Sequence, residues 1–380
     1  MQRWAPLVMV VLTAWLGTAQ AQSEYIIQQN AAPLQPLGTR AAPAPRSAPV
    51  PTPAPAAQLP AMPAAPATTA RPGARPLRIG LLLPTDSKRL GEAAAVVRSG
   101  FEAAAAVEQN AEVVRLDADE DSVAARYREA VTGRVDVVVG PLTREGIAAV
   151  APHATVPTLA LNTLDPAIVP NPKLFSLSLN VEGEARQLAR LMRDDGRARP
   201  LVVVDETGLA RRIQQAFSAE WGGASGRAVT VVDVTRQGEE AVLAAAGTAD
   251  AVLLAVDSDK APGVRRLLPA ELAAYGTSQL HTLRPDPALN GVRIIDMPWF
   301  VMADHPAVKR YPRPTSALTM PSERLYALGI DAYRLAVQLG QTRGASANLR
   351  LNGVTGDLRL ARDRQFERTQ PLVVIGSETP

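Results

Sequence analysis

The chain has 380 residues, with 40 Lys and Arg against 37 Asp and Glu, three His and no Cys, so its formal net charge is only +3. Interleaved charge of this size, with 4% aromatic residues, excludes the basic stripe of a nucleic-acid binder. The absence of Cys excludes disulfides, a thiol nucleophile and a lipid carried on cysteine, so any folded region rests on its core alone.

Residues 1–21 combine a basic start at Arg3, an apolar run from Leu7 to Leu16 and the small-x-small site Ala19-Gln20-Ala21, which together predict a cleaved secretory signal. The run falls short of the roughly 20 apolar residues a bilayer span needs, so no stable membrane anchor is expected after cleavage and the exported chain is expected in the periplasm. Residues 22–75 turn to Pro, Ala, Gln and Thr, as in APAPRSAPVPTPAPAAQ. Such a segment favours polyproline II and buries too little surface to offset ordering, so it reads as a disordered linker.

The remaining stretch, 76–380, is long enough for two lobes. Apolar strands and amphipathic helices alternate from its start. Leu77–Pro84 reads as a strand, Gly91–Gln109 as a helix with Ala94, Val97, Phe101 and Ala104 on one face, Ala111–Ala118 as a strand and Ser122–Val131 as a helix. Val135 to Asn162 follows as a βαβ unit, with a strand Val135–Val139, a Gly140-Pro141 turn, a helix through Val150 and a strand Thr158–Leu161. Continuous apolar strands mark a parallel sheet covered on both faces.

A second lobe is expected from about Leu177, with helices at Glu182–Arg193, Gly208–Glu220 and Glu239–Ala246 and strands at Leu201–Asp205, Ala228–Val234, Ala251–Val256, Thr277–Leu283 and Gly291–Met297. A long helix follows over Ser322–Leu339, capped by Ser322, with Leu325, Leu328, Ala332, Leu335 and Leu339 on one stripe. Two strand-like runs around the polar turn Arg362–Arg364 predict a hairpin. The fold class is α/β, each lobe a doubly wound, mostly parallel sheet, with a cleft between the two.

No HExxH, GxSxG or GxxxxGK motif is present. His153, His281 and His305 lie far apart and read as structural or surface residues, and Asp119-Glu120-Asp121 reads as a helix-start cluster rather than a cation site, so no metal, cofactor or catalytic set is expected. Ligands of open α/β sheets bind beyond the carboxyl ends of strands. That rule selects Thr85, Asp86, Ser87, Thr143, Asn162 and Thr163 in the first lobe and Asp205, Thr207 and Asp257 in the second, a set suited to a small carboxylate or amide. The competing reading is that these are ordinary caps and turn formers.

The segments LRIGLLLP, VVVGPLTREGIAAV, PTLALN, YGTSQLHT, LNGVRIIDMPW, RLYALGIDAYRLA and GVTGDLRL occur in that order, and the chain from Leu77 onward resembles the LppC family of penicillin-binding protein activators. The resemblance implies a type I periplasmic-binding-protein fold, with the first lobe at about 76–176 and 300–345 and the second at about 177–299 and 346–380. It also implies an outer-membrane lipoprotein that stimulates a class A penicillin-binding protein. This chain departs from the pattern in lacking a lipidation cysteine and in carrying a Pro/Ala segment where fuller members have a helical-repeat domain. The leading expectation is a non-enzymatic regulator of peptidoglycan synthesis. The alternative is a solute receptor that closes on an amino acid or peptide-like small molecule.

Overall fold

The computed structural model describes residues 75–345 and 348–377. The predicted signal at 1–21, and the predicted linker as far as Ala74, lie outside the described residues.

The first lobe opens with β1 (Leu77–Leu83), α1 (Gly91–Glu108), β2 (Ala111–Asp117), α2 (Val123–Thr132), β3 (Val137–Val139), α3 (Arg144–Val150), β4 (Thr158–Ala160) and β5 (Leu174–Ser176). Its strands lie side by side in the order β2-β1-β3-β4-β5, and every pair is parallel. All three valines of the central β3 are buried, whereas the edge strand β2 carries the exposed Glu112, Arg115 and Asp117. The expected continuous apolar runs are therefore the central strands, covered on both faces.

The second lobe holds α4 (Val181–Asp194), β6 (Pro200–Val204), α5 (Gly208–Ser225), β7 (Thr230–Asp233), α6 (Val234–Ala246), β8 (Ala251–Ala255), α7 (Ala261–Leu267), β9 (Ala273–Gly276) and β10 (Arg293–Ile295). The chain continues through α8 (Pro298–Val301), α9 (Pro306–Arg310) and α10 (Met320–Thr342) to the antiparallel sheet β11 (Arg350–Asn352), β12 (Asp357–Leu360) and β13 (Phe366–Thr369), and then to β14 (Leu372–Val374). The second large sheet has the order β7-β6-β8-β9-β10-β14, parallel except for β14 against β10. The chain passes between lobes three times, after β5, after β10 and after β13.

Several expectations are corrected. Thr277–Leu283 is no strand: the strand is Ala273–Gly276, and Thr277 ends it by accepting the Gln279 amide at the start of a short 3-10 turn, Ser278–Leu280. The cap of α10 is Thr319, which accepts the Ser322 amide, because Pro321 needs no amide partner in the first turn and lets the helix begin earlier. α6 starts at Val234 under the Asp233 cap rather than at Glu239, and Gly238, at φ 79°, interrupts it. The predicted hairpin is β12 and β13, antiparallel in register from Asp357–Thr369 to Leu360–Phe366.

Residues beyond 345 divide between the lobes. Leu349, Leu351, Leu358 and Phe366 pack into the first lobe's core, and only β14 joins the second sheet. The same first core receives the buried stripe of α10, which lies against α1 at close range. A Cβ at Gly100 would stand 1.9 Å from the Tyr326 carbonyl oxygen, and one at Gly329 would stand 2.1 Å from that of Val97. The two glycines let the helix backbones touch.

Candidate functional site at the lobe junction

The strand-end candidates fall into three groups. In the second lobe Asp205, 1% exposed, gathers the others: Oδ1 accepts from the Thr207 amide at 3.0 Å and from its hydroxyl at 2.6 Å, and Oδ2 accepts from the Asp257 amide at 2.8 Å. Thr207 in turn caps α5 by accepting from the Ala210 amide at 3.1 Å. Thr207 and Asp257 line a cavity of about 260 Å³. Because that hydroxyl is a cap, Thr207→Ala is expected to lower the unfolding free energy by about 1 kcal/mol, measured by urea titration. A neutral result would show that the Thr207 side chain carries no such load.

In the first lobe Thr143 caps α3 through the Gly146 amide at 3.0 Å. The Asn162 amide donates to the Leu142 carbonyl at 3.1 Å, its Oδ1 accepts from the Thr163 amide at 2.8 Å, and Thr163 Oγ1 accepts from Arg144 at 3.2 Å. Thr85, Asp86 and Ser87 form a separate group beside β2. Thr85 donates to Asp117 at 2.5 Å and Ser87 donates to Glu120 at 2.7 Å while accepting the Leu90 amide, and Asp86 is exposed. One cavity that touches both lobes, between Arg144, Asn162, Thr163, Asn180 and Arg212, holds about 60 Å³, and another, between Asn180, Glu184, Arg190, Gln365 and Phe366, holds about 200 Å³. Small-molecule sites usually offer about 300–1,000 Å³.

A second constellation, not singled out from the sequence, sits where the lobes meet. Asp296, fully buried just after β10, takes a two-pronged grip from Arg324 of α10, with Nη2 at 2.8 Å from Oδ2 and Nη1 on Oδ1. The same Nη2 reaches the Ser278 carbonyl at 3.1 Å, and His281 Nδ1 lies 2.6 Å from Asp296 Oδ2. Glu184 of α4, also buried, accepts from the Ser278 amide and hydroxyl, both at 3.0 Å. Arg324 lies over the Phe300 ring, 4.9 Å from its centre. Gln187 and Gln370 exchange hydrogen bonds of 2.7 and 3.0 Å at the third crossing, and Arg368 donates to the Ser178 carbonyl at the first.

The charges in this hub are balanced by contact. Burial pushes the Asp296 carboxyl upward, but the Arg324 guanidinium and the His281 contact outweigh it and hold it below the ordinary carboxylate range. Burial also raises Glu184, and there it prevails over Arg368 and Arg324. His281 faces a carboxylate, as in hydrolytic triads, but the nearby Ser278 hydroxyl is bonded to Glu184. What the arrangement does is brace: one salt-bridged carboxylate ties the second lobe's sheet to the first lobe's long helix.

Separation hid this site from sequence reasoning, although one signal pointed to it. Asp296, Arg324 and the pair Ser278 and His281 lie in IIDMPW, RLYALGIDAYRLA and YGTSQLHT, the segments that carried the family resemblance. GVTGDLRL joins them one layer away, where buried Asp331 of α10 accepts from the Val354 amide at 3.0 Å and from the Thr355 amide and hydroxyl at 2.8 and 2.7 Å.

The model of the LppC lipoprotein family matches residues 50–246 and 247–371. The penicillin-binding protein activator LpoA of Haemophilus influenzae is 27% identical over 316 residues, covering 77% of this chain and 52% of its own length. Its namesake in Aliivibrio fischeri is 26% identical over 352 residues, covering 80% and 57%. The chain thus spans about half the length of the curated relatives it matches. Among solved structures, one from Chromobacterium violaceum, provisionally assigned to a branched-chain amino acid ABC transporter, is 56% identical with a TM-score of 0.75, over 79% of this chain and 100% of that one. The C-domain of Haemophilus influenzae LpoA, described as a regulator of PBP1A, has a TM-score of 0.67 at 24% identity, over 78% of this chain and 96% of that one, a likeness of fold.

Proposed function

Because this chain belongs to the LppC lipoprotein family and has a two-lobed periplasmic-binding-protein-like fold, we propose that it is an exported, non-enzymatic regulator that binds a class A penicillin-binding protein and raises its rate of peptidoglycan synthesis. The observation that carries the reading is that the match to proteins named as activators covers 77–80% of the chain, and so runs through both lobes and the junction. Geometry supports it. The strand-end polar groups are mostly spent on caps and turns, and the hub braces the lobes, which suits a body that presents a fixed outer surface.

The signal expected at residues 1–21 supports a periplasmic location for the regulator. Among the described residues no helix is long and apolar enough to cross a membrane. The test is to add the full chain to purified class A penicillin-binding proteins and follow binding together with glycan polymerisation and cross-linking. Saturable binding with a severalfold faster rate is expected. Neither binding nor acceleration with any class A synthase would remove the reading.

A receptor reading has one specific observation in its favour, the transporter assignment of the Chromobacterium violaceum chain. It would use Asn162 and Thr163 against Asp205, Thr207 and Asp257, with Thr85, Asp86, Ser87 and Thr143 at the rim. Leucine at 100 times its dissociation constant would then stabilise the fold by about 2.7 kcal/mol. An unchanged melting temperature across branched-chain amino acids and short peptides would eliminate those ligands.

A further inference from the structure

The cavity of about 200 Å³ at the start of α4 is lined by residues of the first and third crossings, among them Asn180, Arg368 and Gln370. Its wall holds a buried side chain that folding does not use. Gln370 is 4% exposed, and its backbone carbonyl and amide exchange hydrogen bonds with Gln187, whereas its side-chain Nε2 is enclosed and has no partner. Arg368, two residues earlier, supplies a second such group. Its guanidinium donates to the Ser178 carbonyl, but Nη1 is enclosed without a partner, and among the described residues no carboxylate stands at ion-pair distance from it. Burial holds this guanidinium below its usual range against the attraction of Glu184. Buried donors are normally paired, so two orphaned donors on one wall call for an acceptor.

The lining carries both signs of charge, and what decides is which groups are already spent. Glu184 holds the Ser278 amide and hydroxyl, both at 3.0 Å, and Glu220 pairs with Arg190 at 3.3 Å and Arg193 at 3.4 Å. Asp363 holds the Gln365 amide and side chain at 3.2 and 3.1 Å, and Glu367 pairs with Arg359. Arg186, exposed on α4, has no such partner: among the described residues no carboxylate stands at ion-pair distance from it, and neighbouring Glu182 pairs with Arg212. The positive end of α4, capped by Asn180, borders the same space. The unspent groups are donors, which selects an anion, while the carboxylates around them would repel a multiply charged one such as phosphate. At about 200 Å³ the space lies below the roughly 300–1,000 Å³ of drug-sized sites and suits a short group.

We propose that this cavity binds a single carboxylate group, which accepts from Arg368, Gln370 and Arg186 and belongs either to a free small organic acid or to the C-terminal end of a peptide. The Gln370 amide turns on a broad terminal torsion, so its Nε2 can meet an incoming acceptor. None of the strand-end candidates lines this cavity, and the site needs no synthase. Its ligand would touch both lobes, α4 on one side and β13 on the other, and would stabilise their joined arrangement.

The test is calorimetric titration of the full chain beside thermal melts, with acetate, the dipeptide alanyl-alanine, its C-terminal amide and inorganic phosphate as probes. Saturable binding of acetate or alanyl-alanine with a raised melting temperature is expected, and no response to the amide or to phosphate. Binding of acetate shows that a free acid suffices, and binding of the dipeptide alone assigns a peptide end. Gln370→Leu removes an amide with no folding partner, so it should leave the melting temperature unchanged or higher and weaken binding about tenfold. Arg186→Ala, at an exposed position, should weaken binding severalfold without changing the melting temperature. No saturation by either carboxylate at millimolar concentration overturns the site, and equal binding of the amide or of phosphate overturns its assignment to a carboxylate. Binding that both variants retain puts the ligand elsewhere and overturns this cavity. If Gln370→Leu lowers the melting temperature, that amide serves the fold and Arg186→Ala decides: retained binding there overturns the site.

Discussion

Arg324→Met is expected to lower the unfolding free energy by about 3–5 kcal/mol, since it strands a buried carboxylate. Asp296 is fully buried, and its remaining partners, the Met297 amide and His281, cannot replace a two-pronged guanidinium. The Ser278 carbonyl and the Phe300 ring lose their contacts with Arg324 as well. Guanidinium chloride unfolding followed by circular dichroism measures the loss.

Replacing both partners, as in Asp296→Leu with Arg324→Met, should recover much of it, because the pair costs desolvation of both ions and apolar groups of similar volume often do as well. A single variant that costs under about 1 kcal/mol would show that Asp296 reaches water or another cation, and the brace would fail as a description. Its pH dependence has a definite sign. The Asp296 carboxyl is depressed in the folded state, so its contribution is present above the ordinary carboxylate range and is lost as pH falls through the folded value. Glu184 runs the other way, since its raised carboxyl costs stability as pH rises through the folded value. Loss of Arg324 should therefore flatten the acid limb to which Asp296 contributes.

Gly329→Ala should destabilise the fold by about 3 kcal/mol, although alanine is the better helix former by about 1 kcal/mol. A Cβ there meets the Val97 carbonyl oxygen at 2.1 Å and the Phe101 amide nitrogen at 2.7 Å, both backbone atoms of α1 that no rotamer change can move. Gly100→Ala is the reciprocal case, with the Tyr326 carbonyl oxygen at 1.9 Å. The helices would have to separate along an interface that also holds the Phe101–Tyr333 ring pair, centred 5.2 Å apart. A stabilising effect of either alanine would mean that propensity governs these positions and that the helices are free to part.

Local pattern sufficed for much of this protein. The valine run of β3, the apolar β6 and β8, the amphipathic α1 and the β12–β13 hairpin are legible because the periods of strand and helix are properties of the backbone, and burial only has to agree with them. The stripe of Leu325, Leu328, Ala332, Leu335 and Leu339 is buried throughout, as its spacing requires. Caps and strand ends were less legible, since Thr277 and Thr319 differ from their neighbours only in which amide they reach.

The pairing of the hub residues was decided by tertiary structure. Asp296 and Arg324 are 28 residues apart and Glu184 and Ser278 are 94 apart, and nothing in the periodicity of either stretch marks one as the other's partner. Such pairs form because the chain passes three times between its lobes and brings those stretches into one volume from which water is excluded. Unmatched charge there is too costly to leave, so Asp296, Arg324 and Glu184, each paired or hydrogen-bonded across the junction, become the brace of the folded protein.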